Sequence, residues 1–230
     1  MIIQDIEIEI IKKRIKNLHL SVLPPNGSVR ITAPLSVSDD YIRQFATSKI
    51  GWIRAQQANF AKQQRHSERE FVSGETIFIW GKQYYLQVEY SDKSTHFRLV
   101  GEKAILTVRK ESTVKQRESL VNEVLRRYLK DEVSRLLPLW ERKTGLHCKQ
   151  WVVKDMKTRW GSYSAKTGTI SINLLLVHKP VACLESIIVH ELGHVKHRNH
   201  GKGFIAYMDK YLPYWRETKK KLNALTLDNV

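Results

Sequence analysis

The sequence is poor in cysteine: Cys148 and Cys183 are the only two among 230 residues. Two cysteines form at most one disulfide, too few for the disulfide framework of a secreted scaffold. No stretch approaches the roughly 18 to 20 apolar residues that span a bilayer. The amino terminus alternates apolar and charged residues and lacks the continuous apolar core of a signal peptide. We therefore expect a cytoplasmic, reduced protein with no membrane association.

Acidic residues are also scarce relative to basic ones. Lys and Arg total 39 against 23 for Asp and Glu, so the formal net charge is +16. Such an excess indicates an anionic partner, which includes nucleic acid and nucleotides, and it bears on association rather than on fold. The densest stretch, residues 43–69, carries six basic residues and one acidic residue. A solvated helix face is the commoner meaning of such a run, so binding of nucleic acid or nucleotide through a basic surface is a hypothesis.

Apolar periodicity predicts an α+β fold with two parts. The first part, residues 1–110, is mainly β, with small mixed or antiparallel sheets and one basic helix over about 36–65. The second part, residues 111–230, carries a helix packed on short strands. Its predicted elements are a long helix over 112–143, strands within 149–173, a helix over 181–198 and C-terminal helices over 201–224. No internal repeat is visible.

The helix predicted after Pro180 contains the motif His190-Glu191-Leu192-Gly193-His194. Residues four apart on a helix lie one turn apart on nearly the same face, so both imidazoles can bind one ion. Glu191, one position after the first histidine, can lie beside a metal-bound water as a general base. Two neutral histidines, a carboxylate and an open coordination position suit zinc. The motif therefore predicts one Zn²⁺ per chain.

A third protein ligand is required, and His200 is the favoured candidate. In a continuous helix His200 would point away from the other two histidines, so the helix must end before it. We expect the helix to run to Arg198 and to turn at Asn199, which tolerates the left-handed conformation. His197 and the later carboxylate Asp209 are the competing ligands.

Further short motifs accompany this helix along the chain. They are residues 158–162 (Thr-Arg-Trp-Gly-Ser), Ile170, Ile172, Asn173, Asn199-His200, Phe204 and Pro213, preceded by Lys49, Trp52-Ile53-Arg54, Gly74-Glu75, Gly81 and Tyr84. With these motifs the chain resembles the YgjP-like metallopeptidase family, part of the zincin group that includes the WLM and SprT-like proteases. The resemblance covers most of the chain and is densest from about 144 to 215. One departure is Tyr163, where the family commonly has cysteine.

The resemblance implies a zincin-like C-terminal part and a role for each motif residue. By this analogy His190, His194 and His200 are the zinc ligands, and Glu191 is the catalytic glutamate. In zincins a strand beside the metal helix pairs with extended substrate, which is one interpretation of residues 158–164. The second interpretation is that Trp160 and its neighbours pack this strand against the helix.

Several residues near the motif admit more than one role. Arg159 or Lys157 can anchor a carboxylate or phosphate near the ion, and Arg159 and His178 are candidates for stabilising an oxyanion. The aromatic residues that recur at helical spacing after the motif are expected in the core. They are Tyr207, Tyr211, Tyr214 and Trp215.

The predicted function is a zinc-dependent metallopeptidase that acts on peptides or proteins. A second hypothesis is a metal-dependent nucleotide hydrolase that uses the same site on phosphoanhydrides, favoured by the positive charge. A nucleic-acid-associated protease and a non-enzymatic nucleic-acid-binding module with structural zinc are two further hypotheses. Glu191 argues against the non-enzymatic module, because a structural zinc site needs no carboxylate at that position.

Overall fold

The computed structural model describes residues 1–23, 27–62 and 69–224. Its contacts define two compact units, Met1–Arg65 and His66–Asp228. The described residues form six α-helices and three small sheets. Two of the sheets contain four strands and one contains three, and all three mix parallel and antiparallel pairs. The predicted α+β class with small mixed sheets is confirmed.

The first unit packs one sheet and two helices around an isoleucine-rich core. Its strands are β1 (Ile2–Ile3), β2 (Ile6–Lys13), β3 (His19–Leu23) and β4 (Ser28–Pro34), in the order β1-β2-β4-β3 with β2 parallel to β4. The basic segment forms α1 (Asp39–Ser48) and α2 (Ile50–Lys62), where one helix over about 36–65 was expected. The Lys49 N–H bonds to the Ala46 carbonyl, which tightens and closes α1. Residues 63–68 of the predicted helix and basic run lie outside the described residues.

The second unit begins with a sheet of the same strand order. Its strands are β5 (Thr76–Ile79), β6 (Lys82–Tyr90), β7 (His96–Val100) and β8 (Lys103–Val108), in the order β5-β6-β8-β7 with β6 parallel to β8. Helix α3 (Val114–Thr144) starts at a capping box between Thr113 and Gln116, and Gly145 at φ 69° ends it. Sheet and helix share one core, which includes Leu86, Leu106 and Leu125. The boundary predicted at residue 110 would place this sheet and this helix in different parts of the chain, and that boundary stays a prediction.

The rest of the second unit surrounds the sequence motif. It contains β9 (Gln150–Lys154), β10 (Gly161–Ser164), β11 (Thr169–Asn173), a 3-10 helix (Leu174–His178), α4 (Val181–Lys196), α5 (Lys202–Tyr211) and α6 (Trp215–Ala224). Strand β11 is buried and lies between parallel β9 and antiparallel β10, so β10 is an outer strand. The buried Asn173 side chain donates to the carbonyls of Met156 and Arg159, which holds the segment leading into β10.

Candidate metal centre

Helix α4 carries the motif near its C-terminal end, and one face of the helix is buried. Its residues Leu184, Ile188 and Leu192 recur every four positions and are buried, as an amphipathic helix requires. His190 and His194 lie one turn apart near its C-terminal end, with their Nε2 atoms 3.3 Å apart. The helical spacing therefore brings the two imidazoles together as the sequence predicts.

The end of α4 directs the chain back toward these histidines. The helix ends at Lys196, two residues before the expected end at Arg198, and His197 takes an unstrained extended conformation (φ −115°, ψ 105°). This early end has a local cause, because the His197 carbonyl accepts a 2.9 Å hydrogen bond from His194 Nδ1. After this turn the Nε2 of His200 lies 3.0 Å from that of His190.

Three imidazole nitrogens therefore converge on one point. Among the described residues, the one set of three side chains with the geometry to hold a metal ion is His190, His194 and His200, whose candidate ligand atoms lie within 4.8 Å of one another. Ligands of a tetrahedral zinc ion lie about 3.3 Å apart for zinc–nitrogen distances near 2.0 Å. The observed separations of 3.0 and 3.3 Å match that spacing.

The protonation of this cluster also suits a cation. His194 Nδ1 faces a carbonyl and must donate, so its Nε2 carries a lone pair in the neutral ring. A proton on His190 Nε2 could be donated to only one of its two neighbours, His194 Nε2 or His200 Nε2. A bound cation would instead accept a lone pair from each of the three nitrogens. Burial and the neighbouring histidines lower the pKa of His190 to about 3, and burial lowers the pKa of His200. Both rings are therefore neutral at pH 7, as metal ligands must be.

The competing ligands are engaged elsewhere. The His197 ring lies close to Gly203, where an added Cβ would stand 3.2 Å from its Nδ1. The Asp209 carboxylate accepts a 2.8 Å hydrogen bond from Trp215 Nε1 and pairs with Arg216. Neither residue belongs to the three-histidine set of the described chain.

Phe204 forms a buried floor beneath the three rings. Its ring stacks on His194 at 4.9 Å and meets His190 and His200 edge-on at 4.9 and 4.8 Å between centroids. Gly193 allows this close packing, because a Cβ there would lie 2.9 Å from Phe204 and 2.7 Å from Tyr207. Gly193 of the motif therefore has a steric role, which the spacing of the two histidines does not indicate.

Glu191 lies beside the cluster and is almost fully buried, at 5% exposure. Burial raises the pKa of its carboxyl group to about 7, while the Arg159 charge and a hydrogen bond from the Tyr163 N–H limit the rise. Strand β10 approaches so closely that a Cβ on Gly161 would lie 2.8 Å from Glu191 Oε1 and 2.6 Å from Ile187 Cγ2. Only glycine fits at that position without a shift.

Two cavities open beside His190 and Glu191. The larger, about 450 Å³, lies between β10 and the end of α4, and Arg159, Tyr163 and Arg198 contribute to its wall. The smaller, about 230 Å³, lies toward α6 and has largely apolar walls that include Trp160 and Lys219. Of the two oxyanion candidates, Arg159 lines both cavities, whereas His178 lines neither.

A family model described as the YgjP-like metallopeptidase domain matches residues 16–225. The chain belongs to the YgjP-like family. It is therefore a hydrolase of the metallopeptidase type, which implies a divalent metal. This assignment favours peptide or protein substrates and gives no support to a nucleic-acid partner.

Two solved structures are similar to part of this chain. The YgjP-like chain is similar to the metallopeptidase zymogen of Pyrococcus abyssi abylysin, with 23% identity, 39% of this chain and 90% of that one covered, and a TM-score of 0.37. It is also similar to the zymogen of Methanocaldococcus jannaschii jannalysin, with 28% identity, 40% and 91% covered, and a TM-score of 0.33. No curated protein matches.

The aromatic residues after the motif were expected in the core of this YgjP-like protein. Tyr207 is buried and donates to the Val189 carbonyl, as expected for a core residue, whereas Tyr214 is 73% exposed. None of the described helices has the length and apolar character needed to cross a membrane. The cytoplasmic location stays a prediction.

Proposed function

We propose that this protein is a zinc-dependent metallopeptidase with a zincin-like arrangement of α4 against β10 and β11. His190, His194 and His200 hold the metal, and Glu191 is the general base. The observation that carries the proposal is the convergence of three imidazole nitrogens, at 3.0 and 3.3 Å, beside a buried carboxyl group.

The donor set supports zinc as the metal. Three imidazole nitrogens with a fourth position facing an open cleft are typical of catalytic zinc sites. When bound, zinc supplies a Lewis acid that polarises the scissile carbonyl and lowers the pKa of a bound water to about 7. The hydrogen bond from His194 Nδ1 to the His197 carbonyl keeps the ring oriented for this ligand role.

Glu191 is suited to accept a proton from the attacking water and to pass it to the leaving amine. A general base works best when its pKa lies near the operating pH. Burial raises the pKa of Glu191 to about 7, so both of its protonation states are accessible at neutral pH. The Tyr163 N–H and the Arg159 charge stabilise the ionised form when it is needed.

The outer edge of β10 supports an extended peptide as the substrate. Ser162 and Tyr163 of this strand line the larger cavity on the side opposite the end of α4. Within the described residues β10 pairs with β11 on one edge only, so the backbone groups of its second edge, other than the Tyr163 N–H that bonds Glu191, can add a peptide strand. Such pairing would carry the scissile bond past His190 and Glu191.

The proposal is tested by comparing wild type, Glu191→Gln and His190→Ala on one panel of denatured proteins. We expect Glu191→Gln to retain zinc and to lose activity by about 10²- to 10⁴-fold, the range of general-base catalysis. His190→Ala should lose both zinc and activity. Mass spectrometry of the products measures cleavage, and elemental analysis measures the metal.

A parallel assay with nucleoside triphosphates separates a nucleotide hydrolase from a peptidase. Phosphate release without peptide cleavage would replace the peptidase proposal by a nucleotide hydrolase at the same site. Equal activity in all three proteins would refute the assigned roles. Strong stimulation of proteolysis by DNA would instead support the nucleic-acid-associated protease.

A further inference from the structure

The walls beside Glu191 carry an excess of positive charge. Arg159 and Arg198 line the larger cavity, and Arg159 and Lys219 line the smaller one. Glu191 is the one carboxyl group among the described residues of either lining. A substrate in the cleft therefore faces three cations and at most one anion.

No ion pair of the described residues includes Arg159, Arg198 or Lys219. The contrast with nearby Arg216 is direct, since that guanidinium on α6 pairs with Asp209. Lys219, one turn further along α6, approaches the Trp215 ring at 5.8 Å instead.

The three cations flank the candidate reacting groups. Arg159 shares both cavities with His190 and Glu191, Arg198 shares the larger cavity, and Lys219 shares the smaller one. An anionic side chain of a substrate bound in these cavities would lie beside these cations. It would gain Coulomb energy in a cleft that is partly shielded from water.

We propose that Arg159, Arg198 and Lys219 select peptides that carry Asp or Glu side chains beside the scissile bond. This inference rests on the proposed peptidase function and adds a substrate class to it. The three cations act in substrate binding, so their effect belongs in KM more than in kcat.

A peptide library digested by the zinc-loaded wild type tests this preference. Cut sites identified by mass spectrometry should be enriched in Asp and Glu within two residues of the cleaved bond. Matched peptides that differ only by Glu or Gln at the enriched position should then differ about tenfold in kcat/KM, mainly through KM. The difference should shrink as salt is raised from about 50 to about 500 mM, because salt screens exposed charges.

Variants assign the preference to the cleft cations. Arg198→Gln and Lys219→Gln should each reduce the Glu-over-Gln ratio, and the double variant should bring it below about twofold. Arg98→Gln is the matched control, because Arg98 is exposed on β7 and lines neither cavity. The Glu-over-Gln ratio compares two peptides on the same variant. A change at Glu191 that affects both peptides equally therefore does not alter the ratio.

Binding provides a readout that does not depend on turnover. Calorimetry with zinc-loaded Glu191→Gln should give tighter binding of the Glu peptide than of the Gln peptide. Cleavage or binding without an acidic preference would overturn this inference and leave the peptidase proposal standing. Failure to cleave any peptide, with hydrolysis of nucleoside triphosphates, would overturn both.

Discussion

Two histidine environments in the second unit contrast with each other, and burial lowers the pKa of a histidine in each. His178, at the end of the 3-10 helix, is buried, and its Nδ1 lies 2.6 Å from the Phe78 carbonyl, to which it donates. His190, His194 and His200 instead direct Nε2 atoms at one another around the end of α4. Burial lowers the pKa of His178 to about 4 and that of His190 to about 3.

The difference lies in how each ring's hydrogen-bonding groups are satisfied. His178 matches one donor with one carbonyl acceptor and so completes a structural contact. The three-histidine cluster instead places Nε2 atoms 3.0 and 3.3 Å apart, a spacing that suits ligands of a common cation. The proposed ligand set therefore rests on the convergence of the nitrogens and not on a depressed histidine pKa.

The largest expected effect is on zinc affinity in His200→Ala. Removing the third ligand should weaken zinc binding by more than about 100-fold, beyond the usual cost of losing an outer-shell partner. Because His200 is exposed, the metal-free protein should keep its stability within about 0.5 kcal/mol. Competition with a chelating dye measures the affinity. Unchanged zinc binding in this variant would remove His200 from the site.

His178→Ala should show the opposite pattern. Losing a buried ring at 6% exposure and orphaning the Phe78 carbonyl should destabilise the protein by about 2–4 kcal/mol. Zinc content of the folded variant should equal that of wild type. Urea unfolding in the presence of a chelator measures the stability. Loss of zinc from a folded His178→Ala protein would break the distinction between the two histidine environments.

Acid should weaken the fold through His178. Its folded pKa of about 4 lies below the ordinary value of 6.5. The unfolded chain therefore binds the proton first, and stability present above pH 6.5 is lost as the pH falls toward 4. The loss should approach roughly 3 kcal/mol at about 1.36 kcal/mol per pKa unit.

The reference for this pH dependence is His178→Asn, whose amide can still donate near Phe78. The raised pKa of Glu191 gives the opposite slope between about pH 4.5 and 7, but it contributes equally to both proteins. The free energy of unfolding of wild type minus that of His178→Asn should therefore fall from pH 7 to pH 4. A flat difference would contradict the neutral, buried state of His178.

The smallest effect is expected for His197→Gln. The His197 side chain is outside the nitrogen cluster, and its backbone carbonyl, which orients His194, remains in the variant. Zinc affinity should change by less than about threefold and stability by less than about 0.5 kcal/mol. The same dye competition and urea unfolding apply. A loss of zinc as large as that in His200→Ala would make His197 a ligand.

Local sequence rules predicted the first half of the candidate site. The i, i+4 spacing brings His190 and His194 together wherever a helix forms, so their proximity needed no tertiary information. The approach of His200 was expected only as a turn at Asn199. The structure turns two residues earlier, where the His194 ring donates to the His197 carbonyl. Such side-chain contacts are invisible to residue propensities.

The remaining features depend on packing between distant segments. Phe204 is one of the residues that carry the family resemblance, but only the structure shows that its ring contacts all three histidines. The parallel pairs β2–β4 and β6–β8 join strands separated by an intervening strand, which alternation of apolar residues does not specify. The same strand order therefore occurs twice without a visible sequence repeat. The positive charge beside Glu191 is likewise a property of the tertiary structure, because Arg159, Arg198 and Lys219 come from separate segments that meet around the two cavities.

Elemental analysis of the purified wild-type chain, beside Glu191→Gln and His200→Ala, tests the central claim most directly. The account predicts about one zinc per chain in the first two proteins and a large loss in the third. Less than a tenth of a zinc ion per wild-type chain after incubation with zinc and desalting would contradict a three-histidine zinc centre.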